Sequence, residues 1–333
     1  MKSIHYIFNS RPVGVPTADV FRKEEASIDE LKENELLLKP VFISVDPYMR
    51  GRMNDTKSYA ASWQPGQTAE GGAVARVIGS RSKTFLEGDM VTGMFPWATL
   101  FIQDEKKARK IDVSKFPPEY YLGVLGMPGL TAYFGMTDIC RPQIGDTIVV
   151  SGAAGAVGLT AGQIAKISGA RVIGIAGSDE KCRLLKDEFG FDETINYRTA
   201  KSIRKEIAAL CPEGVNAYFD NVGGEITESV VANLAFHSRI ALCGQISQYN
   251  ITRMPAGSFM LSILLTRSVL LKGFIVRDYA DRFNEGLTQL SDWLQQGKIK
   301  YTFTVLDGFD RLPEAFLGLF TGKNTGKMLV KVE

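Results

Sequence analysis

Small residues are concentrated between Val150 and Lys166, in the sequence VSGAAGAVGLTAGQIAK. The preceding GDTIVV (145–150) has the turn and β-branched run typical of a strand, and a helical pattern follows the glycines. Where a strand turns tightly into a helix, the first helical N–H groups have no intrahelical acceptor and can bind an anion. The spacing therefore predicts a phosphate-binding loop.

A membrane span and a buried packing helix are the other interpretations of this stretch. No charged residue lies between Thr147 and Ala165, and about 20 apolar residues span a bilayer. However, four glycines dilute the stretch, and three polar side chains would enter the lipid without obvious partners. We therefore expect no membrane span.

The glycine spacing is similar to a dinucleotide-binding fingerprint, with one departure. That fingerprint is G-x-G-x-x-G after a strand, with an acidic residue about 20 positions later that binds the ribose. Here Ala153 takes the first position, and Gly155 and Gly158 take the others. Taken alone, the pattern is weak evidence for a nucleotide.

The next predicted strand, ARVIGIAGS (170–178), has no carboxylate at its tip. We expect Ser178 to cap the following helix, with Asp179 and Glu180 in its first turn. Lys181 comes next. The absence of an acidic residue, together with a nearby cation, favours NADP, because a cation can bind the extra phosphate on the ribose of NADP. The alternative is that Lys181 is a solvated lysine of the helix.

Composition indicates an ordinary globular protein. The 333 residues suggest two domains of about 150 residues each, and the net charge of +2 gives no electrostatic argument for nucleic acid or an anionic membrane. The first residues, MKSIHYIFNSRPVG, lack the apolar core of a signal peptide. The four cysteines lie far apart without a C-x-x-C pair, so we expect buried free thiols and a cytoplasmic location.

The pattern of elements changes near residue 125. Before it, strand-like runs alternate with turns, which indicates a β-rich domain; these runs are 35–45, 71–79, 88–94 and 97–103. After it, strands alternate with helical patterns such as 201–211 and 281–298, which indicates a doubly wound parallel sheet. Its six predicted strands are 147–150, 171–175, 193–196, 216–222, 238–244 and 268–276. Strand patterns return at 301–306 and 327–332, with a helical pattern at 311–323 between them.

Seven blocks carry a family resemblance: SVDPYMRGRM (44–53), LGMPGLTAYFG (125–135), VSGAAGAVG (150–158), AGSDEK (176–181), YFDNVGGE (218–225), CGQISQYN (243–250) and GKNTGKMLVKV (322–332). Together they resemble the zinc-independent branch of the medium-chain dehydrogenase/reductase superfamily, and more narrowly the prostaglandin reductase, leukotriene hydroxydehydrogenase and alkenal double-bond reductase family. The resemblance implies an α/β fold. A GroES-like β-rich domain would comprise residues 1–124 and 301–333, and a Rossmann domain with a doubly wound parallel sheet would comprise 125–300. It also implies a homodimer.

The resemblance implies NADP as the cofactor. The glycine loop would hold the pyrophosphate, Lys181 and Tyr197 would contact the phosphate on the adenosine ribose, and other residues would line the nicotinamide. The implied cofactor-binding residues are Met127, Thr131, Gly155, Ala156, Val157, Gly158, Ser178, Lys181, Tyr197, Asn221, Cys243, Gly244, Gln245, Ile246, Ser247, Phe274, Ile275, Val276 and Asn324.

The implied reaction is the NADPH-dependent reduction of the C=C bond of an α,β-unsaturated ketone or aldehyde, a small molecule. Hydride addition to the β-carbon builds charge on the carbonyl oxygen, and a donor aimed at that oxygen lowers the barrier. The family position of that catalytic donor matches Tyr249; the alternative is a tyrosine packed in a loop with its hydroxyl bonded to backbone. Tyr48 and Tyr59 would line the substrate pocket, or they simply pack.

The residue inventory also predicts that the protein binds no zinc. The sequence has two histidines, His5 and His237, and no cysteine before Cys140. A catalytic zinc needs about three protein ligands and a structural zinc about four. Where zinc-dependent relatives carry a histidine before glutamate, this chain reads TAEGG (68–72).

Two other functions are compatible with the sequence. An NADPH quinone oxidoreductase shares the fold, the cofactor loop and the lack of zinc, and a non-catalytic NADPH-binding or lens-crystallin-like protein could keep the same site. SVDPYMR and GQISQYN favour the enone reductase. The sequence does not define the physiological enone, because an apolar pocket discriminates weakly between alkyl chains.

Overall fold

The computed structural model describes residues 1–253 and 260–333. Within these residues the chain separates into two compact units. The first comprises Met1–Leu122, Asn250–Thr252 and Phe303–Glu333, and the second comprises Gly123–Tyr249 and Arg253–Thr302. The sequence-based division, with boundaries after residues 124 and 300, stays a prediction about folding domains.

The amino-terminal part of the first unit is β-rich, as the strand-like runs predict. The one α-helix among its described residues before Leu122, α1, is a single turn at Met49–Arg52. The strands are β1 (Lys2–Phe8), β2 (Phe21–Ser27), β3 (Glu35–Ser44), β4 (Glu70–Ser80), β5 (Met90–Pro96), β6 (Phe101–Asp104) and β7 (Arg109–Lys110).

The second unit contains the predicted parallel sheet of six strands. Its order is β10-β9-β8-β11-β12-β13, so the direction of winding reverses between β8 and β11, and ligands of such sheets bind beyond the carboxyl ends at this reversal. The central strands are apolar and buried because helices cover both faces. The strands are β8 (Thr147–Ser151), β9 (Arg171–Ala176), β10 (Glu193–Asn196), β11 (Val215–Asp220), β12 (Leu234–Leu242) and β13 (Leu270–Gly273).

Two helices of the second unit begin at serine caps. The hydroxyl of Ser178 accepts the Lys181 N–H at 3.2 Å, as the sequence predicts, and Ser202 caps the next helix in the same way. The helices are α2 (Met127–Phe134), α3 (Ala156–Ile167), α4 (Asp179–Asp187), α5 (Ile203–Leu210), α6 (Gly224–Val231), α7 (Met260–Thr266) and α8 (Phe283–Gln295).

The last predicted strand of this sheet is shorter than its sequence pattern. The pattern continues through residue 276, but β13 ends at Gly273. The Ile275 N–H donates to the Asp278 carboxylate at 3.1 Å, and a 3₁₀ helix follows at Val276–Arg282. This local hydrogen bond turns the chain out of the sheet although its residues still favour a strand.

The carboxyl-terminal segment completes the first unit with β14 (Phe303–Asp307), α9 (Leu312–Leu319) and β15 (Lys327–Lys331). The main sheet has the order β14-β15-β3-β4-β5-β7, β6 also pairs with β3, and β1 and β2 form a separate pair. Phe316 of α9 is fully buried in the same core as Phe8 and Trp97. Both chain ends therefore build one hydrophobic core.

No helix in residues 1–253 and 260–333 is long and apolar enough to cross a membrane. The uncharged stretch at 150–165 forms the end of β8, a turn and most of α3.

Candidate active site

The predicted phosphate loop is a tight turn between β8 and α3. Gly152 has φ +58°, in the left-handed region, and the Gly155 N–H donates to the Gly152 carbonyl at 2.9 Å. A Cβ at Gly158 would lie 2.4 Å from the Gly152 carbonyl oxygen. The backbone therefore approaches itself so closely that this position requires glycine.

The alanine in the fingerprint is explained by its surroundings. The residue with positive φ is Gly152, not Ala153, so Ala153 needs no special backbone freedom. Ala153 is fully buried, and a Cβ added at Gly174 of β9 would lie 3.0 Å from the Ala153 methyl group. The methyl group fills the space that Gly174 leaves.

The amino end of α3 has the features of a pyrophosphate site. The helix has 12 residues, its N-cap Gly155 has no capping side chain, and Gly155, Ala156 and Val157 are partly exposed. The first N–H groups of such a helix lack intrahelical acceptors, and the helix dipole favours an anion there. The turn thus fits a dinucleotide pyrophosphate, and the contacts of these residues with it stay a prediction.

Two cations lie beyond the carboxyl ends of β9 and β10. Burial lowers the pKa of Lys181, the nearby charge of Arg198 lowers that pKa further, and Glu180 opposes both effects. The Arg198 guanidinium carbon lies 5.9 Å from the centroid of the Tyr197 ring. A Cβ at Gly177 would lie 2.8 Å from the Tyr197 hydroxyl, so this phenol covers the end of β9. A phosphate would relieve the repulsion between the cations.

Arg198 is a candidate that the sequence analysis does not assign. It directly follows Tyr197 at the end of β10, and its charge acts on Lys181. The signal in the sequence is a cation beside a predicted phosphate contact, which is unspecific without the structure. We add Arg198 to Lys181, Tyr197 and Ser178 as a candidate for the ribose phosphate.

Asn221 joins the ends of two neighbouring strands. Its backbone N–H donates to the Ser151 hydroxyl at 2.9 Å, and its side-chain amide donates to the Ser151 carbonyl at 2.8 Å. Ser151 ends β8 and Asn221 follows β11. Since its N–H groups bond within the protein, the side-chain oxygen of Asn221 is the atom that could accept from a ribose hydroxyl.

The loop after β12 is bonded to the loop after β11. The N–H groups of Cys243 and Gly244 donate to the Asp220 carbonyl at 2.9 and 3.0 Å. The Ser247 N–H donates to the Val222 carbonyl at 3.0 Å, and a 3₁₀ turn at Ile246–Gln248 leads to Tyr249. The predicted nicotinamide contacts from Cys243 to Ser247 therefore lie on a loop tied to the sheet edge.

The Tyr249 hydroxyl accepts the backbone N–H of Gln245 at 3.5 Å. This is the backbone contact that the packing interpretation expects. Burial raises the pKa of the phenol, and the carboxylate of Asp220 contributes in the same direction. Because the hydroxyl accepts this bond, its proton remains able to donate. The catalytic role of Tyr249 stays a prediction.

The other predicted nicotinamide contacts lie on α2 and after β13. The Thr131 hydroxyl donates to the Met127 carbonyl at 2.7 Å, and Met127 is exposed. The Phe274 ring is buried against Phe219, with centroids 6.3 Å apart. Phe274 to Val276 are expected to contact the nicotinamide through their backbone, and the packing of the Phe274 ring permits this.

Three predicted residues lie in the first unit. Tyr48 precedes α1 and is half-buried against the core; burial raises its pKa, and the charges of Asp46 and Tyr59 contribute in the same direction. Tyr59 is exposed. The Asn324 side chain donates to the Gly326 carbonyl at 2.9 Å and shapes the turn before β15. The substrate and cofactor roles of Tyr48, Tyr59 and Asn324 stay predictions.

No group of three or more His, Cys, Asp or Glu side chains in the described parts of the chain is arranged to hold a metal ion. His5 lies 3.4 Å from the Thr68 hydroxyl, and burial lowers its pKa. His237 is exposed and lies within β12, which begins at Leu234, whereas the predicted strand begins at residue 238. The four cysteines are free thiols; three are buried, whereas Cys243 is partly exposed, contrary to the expectation of burial.

Two family models match the chain. The model described as the N-terminal domain of oxidoreductase matches residues 5–111, and the model described as zinc-binding dehydrogenase matches residues 156–293. The first range falls on the β-rich part of the first unit, and the second covers five of the six strands of the parallel sheet, β9 to β13.

Three relatives cover nearly the whole chain. YfmJ of Bacillus subtilis is 51% identical over 97% of this chain and 95% of its own. NADPH-dependent curcumin reductase of Escherichia coli is 39% identical over 98% and 96% of the two chains. Prostaglandin reductase 1 of Rattus norvegicus is 40% identical over 96% and 95%.

Two solved structures are similar to this chain over nearly its whole length. CurA of Vibrio vulnificus in complex with NADPH has a TM-score of 0.94 at 41% identity, over 99% of both chains. Escherichia coli quinone oxidoreductase complexed with NADPH has a TM-score of 0.77 at 20% identity, over 98% of this chain and 99% of its own, and shows the fold alone. The chain therefore belongs to the medium-chain dehydrogenase/reductase family that contains curcumin reductase and prostaglandin reductase 1.

Proposed function

We propose that this protein uses NADPH to reduce the C=C bond of α,β-unsaturated ketones and aldehydes. The observation that carries the proposal is the carboxyl edge of the parallel sheet, which presents the Gly152–Gly158 turn, the Lys181–Arg198 cation pair and the Tyr249 loop. Identity near 40% over almost the full length to curcumin reductase and prostaglandin reductase 1 supports the same reaction class.

The chain's own groups would divide the binding of NADPH between them. The turn before α3 would hold the pyrophosphate through backbone N–H groups, and Lys181 and Arg198 would hold the ribose phosphate. The loops at Asn221 and after Cys243 would position the nicotinamide side. When bound, NADPH supplies the hydride that the β-carbon of the enone accepts.

The protein's contribution to the chemistry is a hydrogen-bond donor. As the β-carbon gains hydride, negative charge develops on the carbonyl oxygen, and the Tyr249 hydroxyl would donate to that oxygen. The raised pKa keeps the phenol in its donating form, and the Gln245 N–H holds its oxygen in place. Addition of a proton at the α-carbon then gives the saturated carbonyl compound.

We further propose that the reaction needs no zinc. Support comes from the ligand inventory: His5 bonds to Thr68, and His237 lies exposed on β12. The partly exposed Cys243 is one thiol, and a catalytic zinc needs about three protein ligands. Dialysis against a chelator should leave activity unchanged, and elemental analysis should find no stoichiometric zinc.

A homodimer in the cytoplasm is also part of the proposal. All four residues of the edge strand β13 are exposed, and so are Leu261 and Leu265 of α7. Edge strands with apolar side chains can pair across a twofold axis. Light scattering should give twice the chain mass, and Leu270→Lys should reduce it. The free cysteines support a reducing compartment.

One assay separates the candidate functions. NADPH consumption is measured with an aliphatic enone, with a quinone and with neither. The proposal predicts turnover with the enone well above that with the quinone. Preferred turnover of the quinone would make the protein a quinone oxidoreductase, and NADPH binding without turnover would indicate a non-catalytic role.

A further inference from the structure

Asp220 is a fully buried acidic residue at the end of β11 that receives five hydrogen bonds on its side chain. The hydroxyls of Ser151 and Tyr218 donate to one carboxylate oxygen at 3.0 and 2.8 Å. The N–H groups of Val222 and Gly223 donate to the same oxygen, each at 3.0 Å. The Thr227 hydroxyl donates to the other oxygen at 2.6 Å.

All five donors are neutral. A buried carboxylate is costly unless hydrogen bonds compensate for its lost hydration, and bonds to a charged acceptor are stronger than bonds between neutral groups. No cation of the described residues is among these donors. The carboxylate is therefore stabilised by the geometry of its donors, and any movement of one donor segment changes the bonds to the rest.

Three of these bonds are made by groups next to segments that we propose to contact the cofactor. Ser151 is the last residue before the glycine turn, and Val222 and Gly223 follow Asn221. The Asp220 carbonyl also accepts the N–H groups that begin the Cys243–Tyr249 loop. One residue therefore connects three loops at the carboxyl edge of the sheet.

Another of the five donors, Thr227, provides an internal comparison. Thr227 lies on α6, outside these loops, and bonds to the same carboxylate. Ser151 and Thr227 are both buried hydroxyl donors to Asp220. They differ in the segment that each hydroxyl holds, which is the glycine turn for Ser151 and the helix for Thr227.

We propose that Asp220 is a positioning residue that holds the glycine turn, the Asn221–Gly223 segment and the Cys243–Tyr249 loop together as one NADPH site. This inference rests on the proposed binding of NADPH at this edge and not on the identity of the enone. Its effect should appear in cofactor affinity, since the affected groups are proposed contacts of the dinucleotide.

The test measures the NADPH dissociation constant by fluorescence titration, and Tm separately, for Asp220→Asn, Ser151→Ala and Thr227→Val. Asp220→Asn keeps the shape of the side chain but loses its charge and replaces an acceptor with a donor. We expect the NADPH dissociation constant of this variant to rise about tenfold or more. Ser151→Ala should raise it about fivefold, whereas Thr227→Val should lower Tm and change affinity less than about twofold.

Steady-state kinetics give a second readout. In Ser151→Ala, KM for NADPH should rise while kcat at saturating NADPH stays within about threefold of wild type. Asp192→Asn is a matched control, because Asp192 also accepts a backbone N–H, from Val172 at 2.7 Å, but precedes β10. It should lower Tm without changing NADPH affinity.

Equal effects of Ser151→Ala and Thr227→Val on Tm, with unchanged NADPH affinity in both, would overturn the proposal and leave Asp220 a purely structural residue. Wild-type affinity in a folded Asp220→Asn variant would do the same. If the wild-type protein binds NADPH but reduces no enone, the proposed reaction fails while these titrations still decide the role of Asp220. If it binds no NADPH, both proposals are wrong.

Discussion

Charged side chains have different kinds of partner at the two edges of the parallel sheet. At the amino edge, Arg239 donates to Asp146 at 2.9 Å and Lys166 donates to Asp192 at 2.8 Å. At the carboxyl edge, the Asp220 carboxylate is bonded by neutral hydroxyl and N–H groups. The amino edge therefore neutralises its charges within the fold.

At the carboxyl edge, two cations, Lys181 and Arg198, lie close to each other. Arg198 lowers the pKa of Lys181, and the amino end of α3 adds the positive end of a helix dipole nearby on the same edge. An anionic ligand would gain from both features. The comparison supports the proposal that the carboxyl edge of the sheet binds the cofactor, whereas the ion pairs of the amino edge contribute to stability.

The largest expected effect tests the backbone of the binding edge. Gly158→Ala would place a Cβ 2.4 Å from the Gly152 carbonyl oxygen, so the turn must move. Such overpacking costs about 1–3 kcal/mol, and we expect NADPH affinity to fall by up to about a hundredfold. Isothermal titration measures this. Gly318→Ala in α9 is the control, because its new methyl group makes only ordinary contacts and should leave NADPH affinity unchanged. A normal NADPH affinity in Gly158→Ala would contradict the proposed loop.

Removing one lysine from each edge of the sheet tests the comparison between the two edges. Lys181→Ala should weaken NADPH binding about ten- to a hundredfold and NADH binding much less, because the lost contact is to the extra phosphate. Lys166→Ala removes the ion pair with Asp192 and should lower Tm with no change in cofactor preference. Titrations with both cofactors provide the measurement. Equal losses for NADPH and NADH would mean that Lys181 only supports α4.

Tyr249→Phe tests chemistry at the binding edge. The ring remains, so packing is retained and one donor is lost. Loss of an oxyanion donor in other enzymes lowers turnover about 10²–10³-fold, and we expect a smaller loss of about tenfold because a ribose hydroxyl of the cofactor can also donate. The measurement is kcat with a simple enone at saturating NADPH. Unchanged turnover would remove Tyr249 from the mechanism, and lost NADPH affinity at normal turnover would make it a cofactor contact.

The smallest expected effect is a flat pH profile. Burial and the Asp220 carboxylate raise the pKa of Tyr249, so the phenol keeps its proton up to and beyond about pH 10, the ordinary value for tyrosine. Deprotonation removes the donor, so any loss of kcat from this group lies on the alkaline side. Rates with saturating substrates across the alkaline range check this. A fall in kcat centred near neutral pH that disappears in Tyr249→Phe would contradict the assignment.

Local features of the binding edge could be predicted from the sequence. The cap at Ser178 follows from a short polar side chain before a helical run, and the glycine turn follows from strand and helix patterns on either side. The six parallel strands follow from their alternation with helical patterns. These features depend on neighbours in the chain.

Features that depend on distant parts of the chain could not be predicted. An aspartate in YFDNVGGE carries no sign that Ser151, about 70 positions earlier, donates to it. Arg198 became a candidate because its charge acts on Lys181 of another segment. The end of β13 depends on the bond from Ile275 to Asp278, which competes with an apolar strand pattern.

Deuteride transfer tests the central claim most directly. The protein is incubated with a simple enone and NADPH that carries deuterium at the transferable position, and the product is examined by mass spectrometry and NMR. The proposal predicts a saturated ketone with one deuterium on the former β-carbon. An unsaturated alcohol with deuterium on the former carbonyl carbon would contradict it, because hydride would then have been delivered to the C=O bond rather than to the C=C bond.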